Sequence, residues 1–228
     1  MKFYGTDEGN KLINEDNYPK SIIDYLYKER EFLIEVLKEF EVLVEVGCME
    51  GRNMDLSQEL NKYYVGIDIV DSYIQSLDKK IKSKEIYDFC EAYCLDANKL
   101  KEIKNLSEFI KKYKSLFYFP FNSFGNMDNP QNVISNMVHL DNSRSLIFSY
   151  DTDDYSTNER KKYYENCNFD NLRIEKSQEG VRFLSDNGLN TIAYDKNYLC
   201  DIINKKNLEV SVNKFCPIGL VYSIKRRN

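Results

Sequence analysis

Five short apolar runs divide the first two thirds of this chain, and the residues between them repeat at helical spacing. The runs are EVLVEV at 41–46, KYYVGIDIV around 62–69, a segment of IYDFCEAYCLDAN that closes near Leu95, SLFYFPF from Ser115, and RSLIFSYD ending at Asp151. Strands that alternate with helices pair in parallel, and strands apolar on nearly every residue are covered on both faces. Helices are expected over 52–61, 71–83 and 128–140, and over the stretch marked by Leu100, Ile103, Leu106, Phe109 and Ile110. Ahead of the first strand, Ile22, Ile23, Leu26, Leu33, Val36, Leu37 and Phe40 recur as on an amphipathic helix, and Pro19 suits its start.

The pattern changes after Asp151. A helix is expected over 155–167, followed by three strands, LRIEKS, VRFLSD and LNTIAY. Asp186-Asn187-Gly188 joins the last two, and Asn-Gly between alternating segments marks a hairpin. A last helix over 196–206 leads to LEVSVNKF and LVYSIK, an antiparallel pair at the sheet edge. No linker rich in Pro, Gly or Ser interrupts the chain. Residues 1–228 are read as one domain, with a helical segment at 1–40 and an insertion at 155–194 before the last helix.

Composition narrows the partners. Apolar residues make up 42% of the chain, enough for a sizeable core, and the net charge is −5. Phosphate-rich ligands are held by clustered Lys and Arg. The C-terminal basic cluster, Lys225-Arg226-Arg227, is read as a solvated tail, so no nucleic-acid partner is expected. No apolar run approaches the roughly 20 residues that span a bilayer, and MKFYGTDEGNKLINEDNY has no apolar leader core. A cytoplasmic protein with no membrane partner is expected. The six cysteines lack paired metal-ligand spacing and are read as core thiols, so no metal site is expected either.

The chain has 9 glycines, and Gly47 and Gly51 stand four apart, directly after the most strand-like run. Glycine there permits a tight turn and close approach of backbone N–H groups to a ligand. The second run ends in Asp68, an acid placed to take both hydroxyls of a ribose, and the third ends in Leu95-Asp96-Ala97-Asn98. Three neighbouring strands thus end in glycine or carboxylates where a nucleoside can lie.

These residues resemble the motifs of class I S-adenosylmethionine-dependent methyltransferases. EVGCMEG resembles the first motif, GIDIV the second, LDAN the third and FPFNSFGNM the fourth, and the resemblance covers about 41–226. Met49 stands where the family usually has a further glycine. The resemblance implies a Rossmann-like, mostly parallel seven-stranded sheet with an antiparallel terminal strand and helices on both faces. It implies S-adenosylmethionine as cofactor, with S-adenosylhomocysteine as product. Glu45 would sit near the amino group of the methionine moiety, and Gly47, Cys48 and Gly51 would line it. Asp68 would bind the ribose, Ile69 the adenine face, Asp96 and Ala97 the base edge, with Asn98 and Phe121 as further cofactor contacts. Arg52 is either a carboxylate ligand or a surface residue.

Methyl transfer from a sulfonium is a displacement in which alignment does most of the work. An amine needs only to be deprotonated, whereas a hydroxyl needs a base. The single histidine, His139, falls in a helical stretch away from the strand ends and is read as a helix residue outside catalysis. An amine or amino-acid-like nitrogen on a small molecule is therefore the expected acceptor. Asn122 and Tyr150 are the catalytic candidates, and Tyr4, Phe124 and Arg182 the substrate-binding ones. Phe119, Phe121 and Phe124 either face the cationic methyl donor or fill the core. The tyrosines of the 155–194 region suggest a lid or pocket, and the chain start, with Tyr4 and Tyr18, resembles the segment that folds over the site in glycine-type N-methyltransferases. Alternatives are a peptide, protein or RNA methyltransferase and a non-catalytic protein that binds S-adenosylmethionine.

Overall fold

The structure, a computed structural model, describes residues 3–103, 112–138 and 143–227. Leu106, Phe109 and Ile110 of the expected fourth helix, and His139 with the end of the 128–140 helix, lie outside the described residues. The five runs form β1 (Val42–Val46), β2 (Tyr63–Asp68), β3 (Cys90–Cys94), β4 (Ser115–Phe119) and β5 (Ser143–Tyr150), all parallel. Three later strands, β6 (Arg173–Ser177), β7 (Gly180–Leu184) and β8 (Asn190–Tyr194), make a separate antiparallel sheet. β9 (Leu208–Cys216) and β10 (Gly219–Arg226) complete the main sheet, whose order is β3-β2-β1-β4-β5-β10-β9. β10 runs antiparallel between β5 and β9. The expected fold class is the one observed.

The helices are α1 (Asp7–Asn10), α2 (Lys20–Leu37), α3 (Met54–Glu59), α4 (Asp71–Lys84), α5 (Pro130–Met137), α6 (Asp154–Asn166) and α7 (Lys196–Asn204). Side chains of a strand point alternately to its two faces. Val42, Val44 and Val46 join Val65, Phe117 and Ile147 in a core covered by α5 and α7 through Val133, Ile134, Leu199 and Ile203. Leu43 joins Tyr64, Leu116, Tyr118 and Phe148 in a second core under α2. No residue of β1 is exposed, so the central strand stabilises both layers.

The buried stripe of α2 is Ile22, Tyr25, Glu29, Leu33 and Leu37. Ile23, which the spacing placed on the apolar face, is 52% exposed. Steps of three or four residues from Ile22 reach Tyr25 and Glu29, whereas Ile23 lies about 100° round the helix. The stripe therefore carries a carboxylate, Glu29, into the apolar layer. Among the described residues no helix is long and apolar enough to cross a membrane.

Candidate functional site

From β1 the chain moves outward through β2 to β3, and from β4 in the opposite direction to β5. At such a reversal the carboxyl ends of the two central strands diverge and leave a crevice. Gly47 closes β1 there with φ +82°, and the N–H groups of Gly47 and Cys48 donate to the Ile67 carbonyl at 2.8 and 3.1 Å. Ser123, after β4, donates its hydroxyl to the Val46 carbonyl at 3.2 Å. A Cβ on Gly47 would come within 2.9 Å of the Ser123 Cβ, so the turn and its packing both require glycine. The crevice opens into a cleft whose empty space, open solvent included, is about 1120 Å³.

Asp68 lies at the cleft, 8% exposed at the end of β2. Its Oδ2 accepts from Met49 N and its Oδ1 from Val70 N, each at 2.9 Å. Burial raises its pKa, against those backbone hydrogen bonds. A carboxylate has about four acceptor positions, so two remain for a ligand. Met49 itself adopts the left-handed conformation, φ +52°. The side chain at this position thus leaves the glycine-type backbone in place, and Met49 lines the cleft. At the next strand end Asp96 caps a short helical turn by accepting from Asn98 N at 2.8 Å, with Ala97 beside it in the cleft wall.

The other end of the cleft is aromatic. Phe121 and Asn122 both take positive φ, +40° and +58°, in the turn after β4. Glu29 fixes this turn: its Oε1 accepts from Phe121 N at 2.8 Å and from the Tyr118 hydroxyl at 2.7 Å. Its Oε2 faces Arg52 Nη2 at 3.7 Å, and burial raises its pKa. Asn122 donates both amide hydrogens, to Thr191 Oγ1 and the Ile192 carbonyl at 3.1 Å each, and accepts from Ser149 Oγ at 2.9 Å. One side chain thereby joins β4, β5 and the second sheet. Around Phe121 stand the rings of Tyr18, Tyr25, Tyr150 and Tyr163 at centroid distances of 5.4–6.5 Å.

The chain start covers this end. Tyr4, Gly9, Leu12 and Ile13 line the cleft. The Leu12 carbonyl accepts from the hydroxyls of Tyr18 and Tyr163, Asn10 accepts from Tyr73, and Asn17 accepts from Asn166. α6 and α4 thus tie down the segment.

Of the residues expected at the site, the structure brings Gly47, Asp68, Ile69, Asp96, Ala97, Phe121, Asn122, Tyr150 and Tyr4 to the cleft wall. Arg52 joins them, its guanidinium 5.9 Å from the Phe121 centroid. Six others stand away from it. Cys48 is wholly buried. Gly51, at φ +80°, gives room to Leu77 of α4. Asn98 accepts from Asn132 and Asn136 and so anchors α5. Phe124 packs edge-on against Phe119 and Tyr194 in the core. Arg182 donates to Asn190 on the second sheet, at the surface. Tyr163 and Tyr164, two of the tyrosines expected to form a lid or pocket, line the cleft, whereas Leu12 and Ile13 were not singled out, because nothing local in the sequence separates them from core residues.

Glu45 is the sixth. It shares the face of Leu43, so strand alternation turns it toward α3 and away from the cleft. Its carboxylate accepts from the Tyr64 hydroxyl at 2.7 Å and from Asn53 Nδ2 and N at 2.6 and 3.2 Å, holding the start of α3. Burial pushes its pKa up from 4.5 to about 7, against these hydrogen bonds. Between those values the folded state keeps a proton that the unfolded chain has lost, so stability falls as pH rises through the window. Over that span the effect reaches about 3 kcal/mol. Urea unfolding at about pH 5 and about pH 8 should show Glu45→Gln with a flatter pH dependence than the wild type. An unchanged difference between the two pH values would rule out this origin.

No protein-family model matches the sequence, and no curated protein matches it. Solved structures match in shape. PH0226 of Pyrococcus horikoshii aligns over 98% of this chain and 100% of its own, with a TM-score of 0.69 and 13% identity. An S-adenosylmethionine-dependent methyltransferase from Clostridium acetobutylicum aligns over 89% and 92%, with a TM-score of 0.62 and 12% identity. A third is the 1,6-didemethyltoxoflavin-N1-methyltransferase of Burkholderia thailandensis, solved with 1,6-didemethyltoxoflavin and S-adenosylhomocysteine bound. It aligns over 97% of this chain and 83% of its own, with a TM-score of 0.61 and 8% identity. At these identities the likeness is one of backbone, and it fixes the architecture: the chain has the Rossmann-like fold of S-adenosylmethionine-dependent methyltransferases.

Proposed function

We propose that the protein is an S-adenosylmethionine-dependent methyltransferase acting on a nitrogen of a small molecule. The carrying observation is the cleft itself: in this fold, Gly47, Asp68 and Asp96 converge at the ends of β1, β2 and β3 on one continuous crevice. The residues fit the cofactor. Gly47 and Met49 bring their turn to the cleft wall beside Asp68, which keeps free acceptor positions for two ribose hydroxyls. Ile69 and Ala97 offer apolar contact for a base, with Asp96 at its edge. Arg52 is placed for the methionine carboxylate. When bound, S-adenosylmethionine supplies an electrophilic methyl group on a sulfonium.

The protein's part is alignment. Phe121 lines the cleft, an aromatic ring and so a favourable neighbour for a sulfonium charge. Asn122 holds its turn against β8, and its carbonyl oxygen keeps one free lone pair toward an amine hydrogen. Burial keeps the Tyr150 hydroxyl protonated, which makes it a hydrogen-bond donor to the acceptor. The tied-down chain start narrows access to the aromatic end, which favours a small acceptor over a folded macromolecule. The likeness to an N-methyltransferase holding a small heterocycle supports the same reading.

Calorimetric titration with S-adenosylmethionine and S-adenosylhomocysteine should show binding of both. Methyl transfer from labelled S-adenosylmethionine into a pool of small amines should then exceed transfer into peptides or RNA. Failure to bind either nucleoside would defeat the proposal, and transfer to RNA alone would move the acceptor class.

A further inference from the structure

Among the described strands, β6 is the one with every residue exposed. On one side it pairs with β7 in unbroken register, from Arg173–Leu184 to Ser177–Gly180. On its other side, among the described residues, it has no strand. The phase of the ladder says which backbone groups that free edge presents. Ser177 and Gly180 flank a two-residue turn, so they and every second pair from them, Glu175–Arg182 and Arg173–Leu184, exchange the hydrogen bonds of the hairpin. The next ladder agrees: Asp195 N donates to the Glu179 carbonyl at 2.8 Å, which directs Val181 and Phe183 toward β8. The N–H and C=O groups of Ile174 and Lys176 therefore point outward, to the free edge.

An open edge is a template for another strand, and proteins blunt it with Pro, bulges or charge. β6 has no Pro and no bulge. It has charge, with Arg173 held by Asp186 at 2.8 Å and Lys176 by Asp154 at 2.6 Å within the same chain. Between them Ile174 is 37% exposed. Residues directly opposite in an antiparallel pair share a face, so the order of charges along β6 selects among registers. A two-fold axis at Glu175 would set two glutamates against each other, and one at Lys176 two lysines. An axis at Ile174 sets Ile174 against its own copy and Arg173 against Glu175 of the partner subunit, twice over. That axis also lets the two Ile174 residues exchange their outward N–H and C=O groups, as the phase of the ladder requires.

We propose that two copies of this chain associate through β6, as an antiparallel pair centred on Ile174 that joins the two three-stranded sheets into one of six strands. Arg173 keeps Asp186 on its own sheet and gains a second carboxylate across the axis. A strand pair is a small interface, so the dissociation constant is expected on the order of 10 µM. The inference is independent of the methyltransferase reading.

Sedimentation velocity of the full chain from about 1 to about 200 µM should show the mass moving from one chain toward two. Ile174→Pro removes an N–H that lies outside the hairpin ladder and should raise the dissociation constant about tenfold or more. Arg173→Glu and Glu175→Arg each oppose like charges across the axis and should each weaken association as much. An equimolar mixture of these two should recover the mass of two chains, because each then meets the opposite charge. Both positions are exposed, so the charge variants stay informative should Ile174→Pro fail to fold. A chain that is monomeric throughout the range overturns the inference. So does a dimer that Ile174→Pro or either charge variant leaves unchanged, or a mixture that stays monomeric.

Discussion

Asn122→Ala is expected to lower the free energy of unfolding by about 3 kcal/mol in urea titration. The substitution leaves Thr191 Oγ1 and the buried Ile192 carbonyl without their donor. Ser149 loses an acceptor too, but its hydroxyl already lies 3.2 Å from the Tyr150 carbonyl and can turn to it. Alanine must also hold φ +58°, which asparagine tolerates better. Next to this joint, Gly125 presses on the Ile192 carbonyl, where a Cβ would sit 1.9 Å from the oxygen, so the second sheet has little room to settle closer. β8 brings Thr191 into the cleft. Turnover should therefore drop more than affinity for S-adenosylmethionine. A loss of stability under about 1 kcal/mol would show that the joint is held by packing, with its hydrogen bonds contributing little.

The second large effect is on cofactor affinity. Asp68→Ala is expected to raise the dissociation constant for S-adenosylhomocysteine by roughly 5–150-fold, the scale of 1–3 kcal/mol for charge-assisted hydrogen bonds. Part of that loss passes through the loop, because Met49 N and Val70 N lose their acceptor as well. Asp68→Asn keeps one oxygen and should fall between. Unchanged calorimetric affinity in Asp68→Ala would remove this residue from the ribose site.

How far the sequence speaks depends on whether a feature is local. The central strands were legible because a doubly covered strand is apolar along nearly its whole length, as Val42–Val46 is but for Glu45. Gly47 and Asp68 were legible because turn geometry and strand ends are set by neighbours in the chain. Glu45 resembles a motif residue just as closely, but one step along a strand reverses its direction, and its carboxylate went under α3. The basic residues show the limit most plainly. Arg182 sits in an apolar run and draws the eye, yet it is half exposed and bonded to Asn190. Arg160 lies within DYSTNERKKYYEN, a helix too polar to read as buried. It is enclosed only because the chain start and the second sheet pack against that helix from opposite sides. Contacts of such separation leave no periodicity to find.

The tyrosine-lined wall has a practical consequence for following ligands. The chain has 18 tyrosines and no tryptophan, so no indole masks phenol emission. Tyr18, Tyr25, Tyr150, Tyr163 and Tyr164 crowd together at the cleft, close enough to exchange excitation. An aromatic acceptor arriving there would quench the group, making intrinsic fluorescence near the ultraviolet edge a label-free gauge of occupancy.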